Sequence, residues 1–179
     1  DRVISLFKDD LGYEYLGDWS DRGGNSNIEE KILEVWLLRK GYSVQQISKA
    51  IYNLTSEAKN QTRSLYDNNK AVYSLLRYGV QVKVDAGENT ETISLVDWKN
   101  PEENHCAIAE EVTLDRGSRE RRPDIVLYLN GIAIGVLELK NSRASIGDGI
   151  RQSISNQSPE FNEWFYTTAQ FLFAGNDSE

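Results

Sequence analysis

The sequence predicts an α/β protein, a mixed and mostly antiparallel central sheet flanked by helices. Three observations predict it. Apolar side chains recur at helical spacing between residues 27 and 78. After Gly79 the period changes to two, and short alternating runs follow one another as far as Lys140. Helical spacing then returns over 145–157, before a last apolar run towards the C-terminus.

Residues 1–26, rich in Asp, Gly, Asn and Ser, read as irregular. The first helix spans 27–40, with Ile28, Ile32, Val35 and Trp36 in register and Gly41 at the stop position. The second spans 44–58 through Val44, Ile47, Ile51 and Leu54, and the third spans 67–78 through Ala71, Leu75, Leu76 and Tyr78. Val80–Val84 alternates as a half-buried strand does. Thr92–Trp98, Cys106–Leu114, Pro123–Leu129 and Ile132–Lys140 read as four more strands of one meander, with turns at Gly87-Glu-Asn and Asn100-Pro101. A helix follows over 145–157 on the stripe Ile146, Ile150 and Ile154, and then a strand over Phe165–Phe173 closed by Gly175-Asn176. No internal repeat is present.

With 179 residues, 39% of them apolar and 27% charged, the chain reads as one soluble globular domain over 1–179. Such a chain buries roughly 70% of its unfolded surface and needs no covalent staples. Cys106 is the single cysteine, which excludes an internal disulfide and a multi-cysteine zinc site and suits a reducing cytoplasm. No apolar run reaches membrane-spanning length, so no membrane is expected. The chain opens on Asp1 rather than Met, which reads as a chain processed, trimmed or cut from something longer. A net charge of −8 taken alone argues against nucleic acid, because Lys and Arg make phosphate contacts. The distribution is less hostile: Arg116, Arg119, Arg121 and Arg122 precede Asp124, and Lys140, Arg143 and Arg151 follow Glu138.

The most informative stretch is Arg122-Pro123-Asp124, followed across Asn130-Gly131 by Glu138-Leu139-Lys140. Side chains alternate across a strand, so Glu138 and Lys140 share a face. Whether Asp124 joins them depends on the turn. A two-residue turn without a bulge pairs Leu129 with Ile132 and sets Asp124 on the face of Leu137. A three-residue loop with Gly131 as a bulge pairs Tyr128 with Ile132 and collects Asp124, Glu138 and Lys140 on one face. The second register separates polar from apolar residues better and is the one predicted. Two carboxylates and the Leu139 carbonyl are hard oxygen donors suited to Mg²⁺, with Mn²⁺ able to substitute. A bound ion polarises a phosphodiester and acidifies a water, while Lys140 balances developing negative charge. A surface ion pair of Lys140 with either acid is the plainer reading. It is disfavoured because charges on so apolar a strand are costly unless paired or functional.

These residues resemble a known family. Arg122–Ala133 followed by Val136–Ser142 is similar to the PD-(D/E)xK nuclease core, and more narrowly to the N-terminal endonuclease domain of the R subunit of type I restriction–modification enzymes. Tyr73–Gly79, Val96–Trp98, Ile108–Val112, Gly149–Ser153 and Phe173–Asn176 agree. The resemblance implies a DNA endonuclease without sequence specificity of its own, with Asp124 and Glu138 as metal ligands and Lys140 as the catalytic lysine. It also implies a helix glutamate. Glu29 fits, although Ser26-Asn-Ile-Glu29 is equally a capping box. Related nucleases carry Gln-xxx-Tyr after the lysine. Here Gln152 is followed four residues on by Asn156, so the tyrosine is missing, and Gln152 reads as a DNA contact, a support for the lysine or a surface glutamine. Arg122, Arg143 and Arg151 are the candidate DNA-binding residues. The family acts on double-stranded DNA with methylation and specificity subunits and an ATP-driven motor. No Gly-x-x-x-x-Gly-Lys-Ser/Thr loop occurs here, so ATP would enter only through motor domains beyond this chain. Two alternatives stay open: a catalytically silent docking module of nuclease fold, and a stand-alone DNA-repair nuclease.

Weaker signals have bland explanations. His105 and Cys106 are adjacent on a strand and point opposite ways, against a nucleophile pair. Glu110 and Glu111 lie on a neighbouring strand, and Trp19, Trp36, Trp98 and Trp164 read as packing.

Overall fold

Helix α1 (Arg2–Ser5) runs into a five-residue helical turn, Leu6–Asp10, and then strand β1 (Glu14–Asp18). Three helices follow, α2 (Glu30–Arg39), α3 (Val44–Ala58) and α4 (Leu65–Tyr78). Next come strands β2 (Val80–Val82), β3 (Glu91–Ile93), β4 (Cys106–Glu110), β5 (Ile125–Leu129) and β6 (Ile132–Lys140). Helix α5 (Ile146–Asn156), the helical turn α6 (Glu163–Tyr166) and strand β7 (Phe171–Asn176) close the chain. This is a computed structural model, and it describes residues 2–85, 87, 89–115, 120–141 and 145–176.

The predicted α/β class with a mixed sheet is what the structure shows. The main sheet has the order β1-β4-β5-β6-β7. Its β4–β5 and β5–β6 pairs are antiparallel, and β1–β4 and β6–β7 are parallel. Helix starts follow local chemistry. Ser43 and Gln46 form a reciprocal capping box at α3, and Ser64 caps α4 by accepting the Asp67 N–H.

Three expectations need correction. Residues 1–26 are not irregular throughout: β1 pairs with β4, and its short run of Tyr15 and Leu16 is masked in the sequence by Glu14, Gly17 and Asp18. The predicted five-strand meander is two sheets. Strands β2 and β3 pair with each other on the α2–α4 core, which leaves β4-β5-β6 as the meander. The last strand begins at Phe171 rather than Phe165, because Phe165 and Tyr166 sit on α6 and enter the core.

The sheet is covered on both faces. Val126, Tyr128, Ala133 and Val136 pack with Trp19, Phe165 and Tyr166 on one side. Ile125 and Leu127 pack with Val3, Ile4, Phe7 and Tyr13 on the other. The β5–β6 turn is anchored on the start of α2, where the Glu29 N–H donates to the Gly131 carbonyl at 2.8 Å.

Candidate active site

The register of β5 and β6 decides the site, and it arises differently from the prediction. The turn is the two-residue kind, with Leu129 paired to Ile132. Asn130 (φ 52°) and Gly131 (φ 85°) are both left-handed. Asn130 tolerates this because its buried side chain accepts the His105 N–H at 2.7 Å and donates to Leu95 and Asn104, each at 2.9 Å. The extra residue comes further along the strand. Tyr128 pairs with Ala133 and Leu127 with Gly135, so Ile134 is a bulge. The bulge shifts all later pairs by one, to Val126 with Val136 and Ile125 with Leu137. Continuing that ladder sets Asp124 opposite Glu138, on one face with Lys140. The predicted grouping on one face therefore holds, but the predicted three-residue loop does not.

Asp124 immediately precedes β5. Its Oδ2 accepts the Leu139 N–H at 2.5 Å, and its carbonyl accepts the Glu111 N–H at 2.9 Å. The N–H and C=O of a strand residue project to the same side, so the Leu139 carbonyl is directed towards the Asp124 edge. Helix α5 supplies the roof. Gly149 lets it approach closely, since a Cβ there would lie 3.0 Å from the Ala174 Cβ and 3.5 Å from the Lys140 side chain. From that position Gln152 donates to Glu138 Oε2 at 2.7 Å and accepts from Lys140 Nζ at 2.5 Å. Asn156, one turn on, donates to Glu138 Oε1 at 3.1 Å. One helix thus holds both carboxylate oxygens and links the acid to the lysine.

Electrostatics mark Glu138 as the unusual group. It is 0% exposed, whereas Asp124, Lys140 and Gln152 are half-buried. Burial first, and the neighbouring Asp124 charge second, push its carboxyl up from 4.5 to about 7, while Lys140 and Asn156 pull it back. The Tyr166 phenol is likewise pushed well up, mainly by burial and then by Glu138. Two like charges set this close, and balanced by one ammonium, are the surroundings that a divalent cation relieves. Among the described residues no group of three His, Cys, Asp or Glu could hold a metal. The oxygen donors on offer are therefore the two carboxylates and the Leu139 carbonyl, a hard set that fits Mg²⁺ or Mn²⁺ rather than zinc.

The other predicted residues that are described have partners outside this group. Glu29 forms a two-pronged ion pair with Arg22, the closer contact at 2.7 Å, and accepts the Ser26 N–H at 3.0 Å. It is the N-cap residue of α2, and its described partners do not include Asp124, Glu138 or Lys140. Arg122 pairs with Glu111 at 2.7 Å, and Arg151 pairs with Asp148 on the same helix. Arg143, like Arg116 and Arg119, lies outside the described residues. Glu110 bonds the Tyr15 hydroxyl and pairs in register with Ile125, on the face away from Glu138. His105 pairs with Glu14 at 2.6 Å rather than with Cys106. The sequence reading missed Asn156 and Tyr166 as parts of the site. The Gln152–Asn156 spacing of four was the available signal, since it puts both amides on one helix face.

Comparison with known proteins points to one family. Residues 1–179 match the family model described as type I restriction enzyme R protein N terminus. A putative type I restriction enzyme MjaVIIIP endonuclease subunit of Methanocaldococcus jannaschii is 28% identical over 138 residues, 73% of this chain and 13% of that protein. The type I restriction enzyme HindI endonuclease subunit of Haemophilus influenzae is 32% identical over 89 residues, 48% of this chain and 8% of that protein. A second M. jannaschii protein, the putative MjaIXP endonuclease subunit, is 24% identical over 106 residues, 56% of this chain and 10% of the relative. The matched stretches span about a tenth of the length of these curated relatives. With the whole chain matched, it belongs to the family of type I restriction enzyme R protein N-terminal regions.

Proposed function

We propose that the domain is the DNA-cleaving module of a type I restriction–modification complex, a metal-dependent phosphodiesterase that reads no sequence itself. The observation that carries this is the meeting of Asp124 and Glu138 at paired strand ends, with Lys140 tied to Glu138 through Gln152. Asp124, Glu138 and the Leu139 carbonyl would hold Mg²⁺, or Mn²⁺ in its place. When bound, such an ion would supply Lewis acidity at the phosphate and lower the pKa of a bound water.

The chain's own residues do the rest. Gln152 and Asn156 fix the rotamer of Glu138, and burial keeps bulk water from it. Gln152 also holds the Lys140 ammonium beside the two acids, where it balances charge developing on a phosphoryl oxygen. Arg122, Arg143 and Arg151 are proposed to meet the DNA backbone. Methylation and specificity subunits would select the site, and ATP would act through motor domains.

Cleavage by the assembled complex tests this reading. Asp124→Ala and Lys140→Ala should each lower cleavage of duplex DNA by at least about 100-fold while melting and assembly persist. Normal cutting by both variants would overturn it. The ion pairs that occupy Arg122 and Arg151 favour a second reading, a silent docking module. That reading predicts wild-type cleavage from every variant at Asp124, Glu138 and Lys140.

A further inference from the structure

Among the described arginines around the site, Arg121 is held unlike the others. The β4–β5 ladder runs on past the strand ends. The Val112 N–H donates to the Pro123 carbonyl at 3.1 Å, and Leu114 and Arg121 exchange two backbone hydrogen bonds, at 2.8 and 3.3 Å. Glu111, with φ 51°, breaks the alternation of side chains there. Val112 and Leu114 therefore both join the core of Trp19, Phe165 and Tyr166. Cross-strand partners share a face, so Arg121 lies on the side of the sheet that carries Asp124 and Glu138. It stands three residues outside Asp124, roughly 10 Å along extended chain.

The Arg121 guanidinium lies over the Phe161 ring, 4.0 Å from its centroid. Phe161 is buried just beyond α5, and the next residue ties back to that helix, with the Asn162 N–H donating to the Asn156 carbonyl at 3.4 Å. Asn156 is one of the two amides that hold Glu138. The Tyr166 phenol is within electrostatic reach of both Arg121 and Glu138. Arg121 thus belongs to the wall of the same recess. Its charge is also unlike its neighbours'. Arg122 and Arg151 are paired with Glu111 and Asp148. Arg121 has no ion pair and no side-chain hydrogen bond among the described residues. Its Nε is buried without a partner, although the residue as a whole is only half-buried. The terminal nitrogens are then the donors left to meet an incoming group.

We propose that Arg121 is a phosphate-binding residue, gripping the DNA backbone beside the position that is cut. A guanidinium stacked on an aromatic ring keeps the edge of its planar fork open, and that edge matches two phosphate oxygens. Stacking also orders the side chain in advance, so less rotamer freedom is lost on binding. A half-buried cation without a counter-charge is costly, and a phosphate supplies the missing partner. Three residues out from Asp124, Arg121 is placed for a neighbouring phosphate rather than for the one being cleaved. It binds substrate and takes no part in bond breaking. The identity of the ligand as DNA rests on the nuclease reading. The plainer alternative, a cation that merely covers Phe161, differs from the proposal in its salt dependence.

Fluorescence anisotropy of the 179-residue chain with a labelled duplex in EDTA, where metal-dependent cleavage is silent, tests the proposal. Arg121→Leu keeps an apolar side chain on Phe161 and removes the charge. It should raise Kd about three- to tenfold at about 50 mM salt and lower the slope of log Kd against log salt by about one. Arg121→Lys, which keeps the charge, should keep the wild-type slope. Arg122→Leu and Arg151→Leu, whose arginines are already paired with acids, should change the slope by less. Thermal melting reports the loss of the ring contact separately, and Arg121→Gln, with the same expected loss of slope, serves where the leucine variant melts too early to assay. An unchanged slope in the uncharged variant overturns the proposal. So does a lysine variant that loses as much slope as the leucine variant, or a wild-type chain that binds no duplex at that salt. Failure of the nuclease reading shows elsewhere, as normal cutting by Asp124→Ala and Lys140→Ala, and leaves these affinities as they are.

Discussion

Glu138 is an acid held where acids are costly: on an interior strand, out of reach of water, beside a second carboxylate. Its folded pKa lies above its unfolded one, so the folded state retains a proton that the unfolded chain releases. The contribution of this group to stability is therefore fully present below pH 4.5 and is lost as pH rises towards about 7. The loss is roughly 3 kcal/mol at most. Thermal melts at pH 5 and pH 8 should show this loss in the wild type and not in Glu138→Gln. Equal pH dependence in both proteins would contradict the assignment. Gln152 acts on the same acid and on the lysine. Gln152→Leu should lower cleavage by roughly 10- to 100-fold in the assembled complex while the fold persists, measured against Lys140→Ala in one assay. The residue types Asp124, Glu138 and Lys140 and their common face were legible from strand alternation. The role of Asn156 was not, because a sequence shows which residue occupies a position four beyond Gln152 but not that its amide reaches back to the carboxylate.

Two elements set the position of the site, and each has a glycine at its closest approach. A side chain at Gly149 would meet Ala174 at 3.0 Å and force α5 away from β7. Gly149→Val should therefore lower cleavage with a smaller loss of stability, because Gln152 and Asn156 ride on that helix. Gly131 has φ +85°, and a Cβ there would lie 2.8 Å from the Glu29 carbonyl. Gly131→Ala should cost about 1–3 kcal/mol and lower Tm by several degrees, seen by calorimetry. The hairpin shows how far pattern reading reaches. The segregation of apolar and polar side chains demanded one extra residue between Asp124 and Glu138. It could not say that Asn130-Gly131 would keep its tight turn and that Ile134 would take up the slack. The helix α5 shows the converse. Periodicity located the isoleucine stripe, but no periodicity tells whether a stripe faces the core: Ile150 and Ile154 are exposed, and Gly149, Ser153 and Asn156 are buried.

At the scale of the whole molecule, charge is the main constraint on DNA binding. The net charge is −8, and Arg122 and Arg151 are already paired with acids. The isolated 179-residue chain should bind duplex DNA weakly, with log Kd against log salt no steeper than about 3, measured by fluorescence anisotropy. A steep slope with submicromolar affinity would contradict this expectation. The global architecture was legible where elements are long and periodic, as in α3 and α4. It was not legible in residues 1–26, where β1 owes its place to pairing with the distant β4 rather than to any local preference. No helix among the described residues is long and apolar enough to cross a membrane.

The central claim is that Asp124 and Glu138 together make a site for one kind of hard divalent cation. Calorimetric titration of Mn²⁺ into the 179-residue chain at pH 8 tests it most directly. The account predicts saturable binding in the wild type and in Lys140→Ala, and its loss in Asp124→Asn and in Glu138→Gln. Absence of binding in the wild type, or equal binding in the two carboxylate variants, would contradict it.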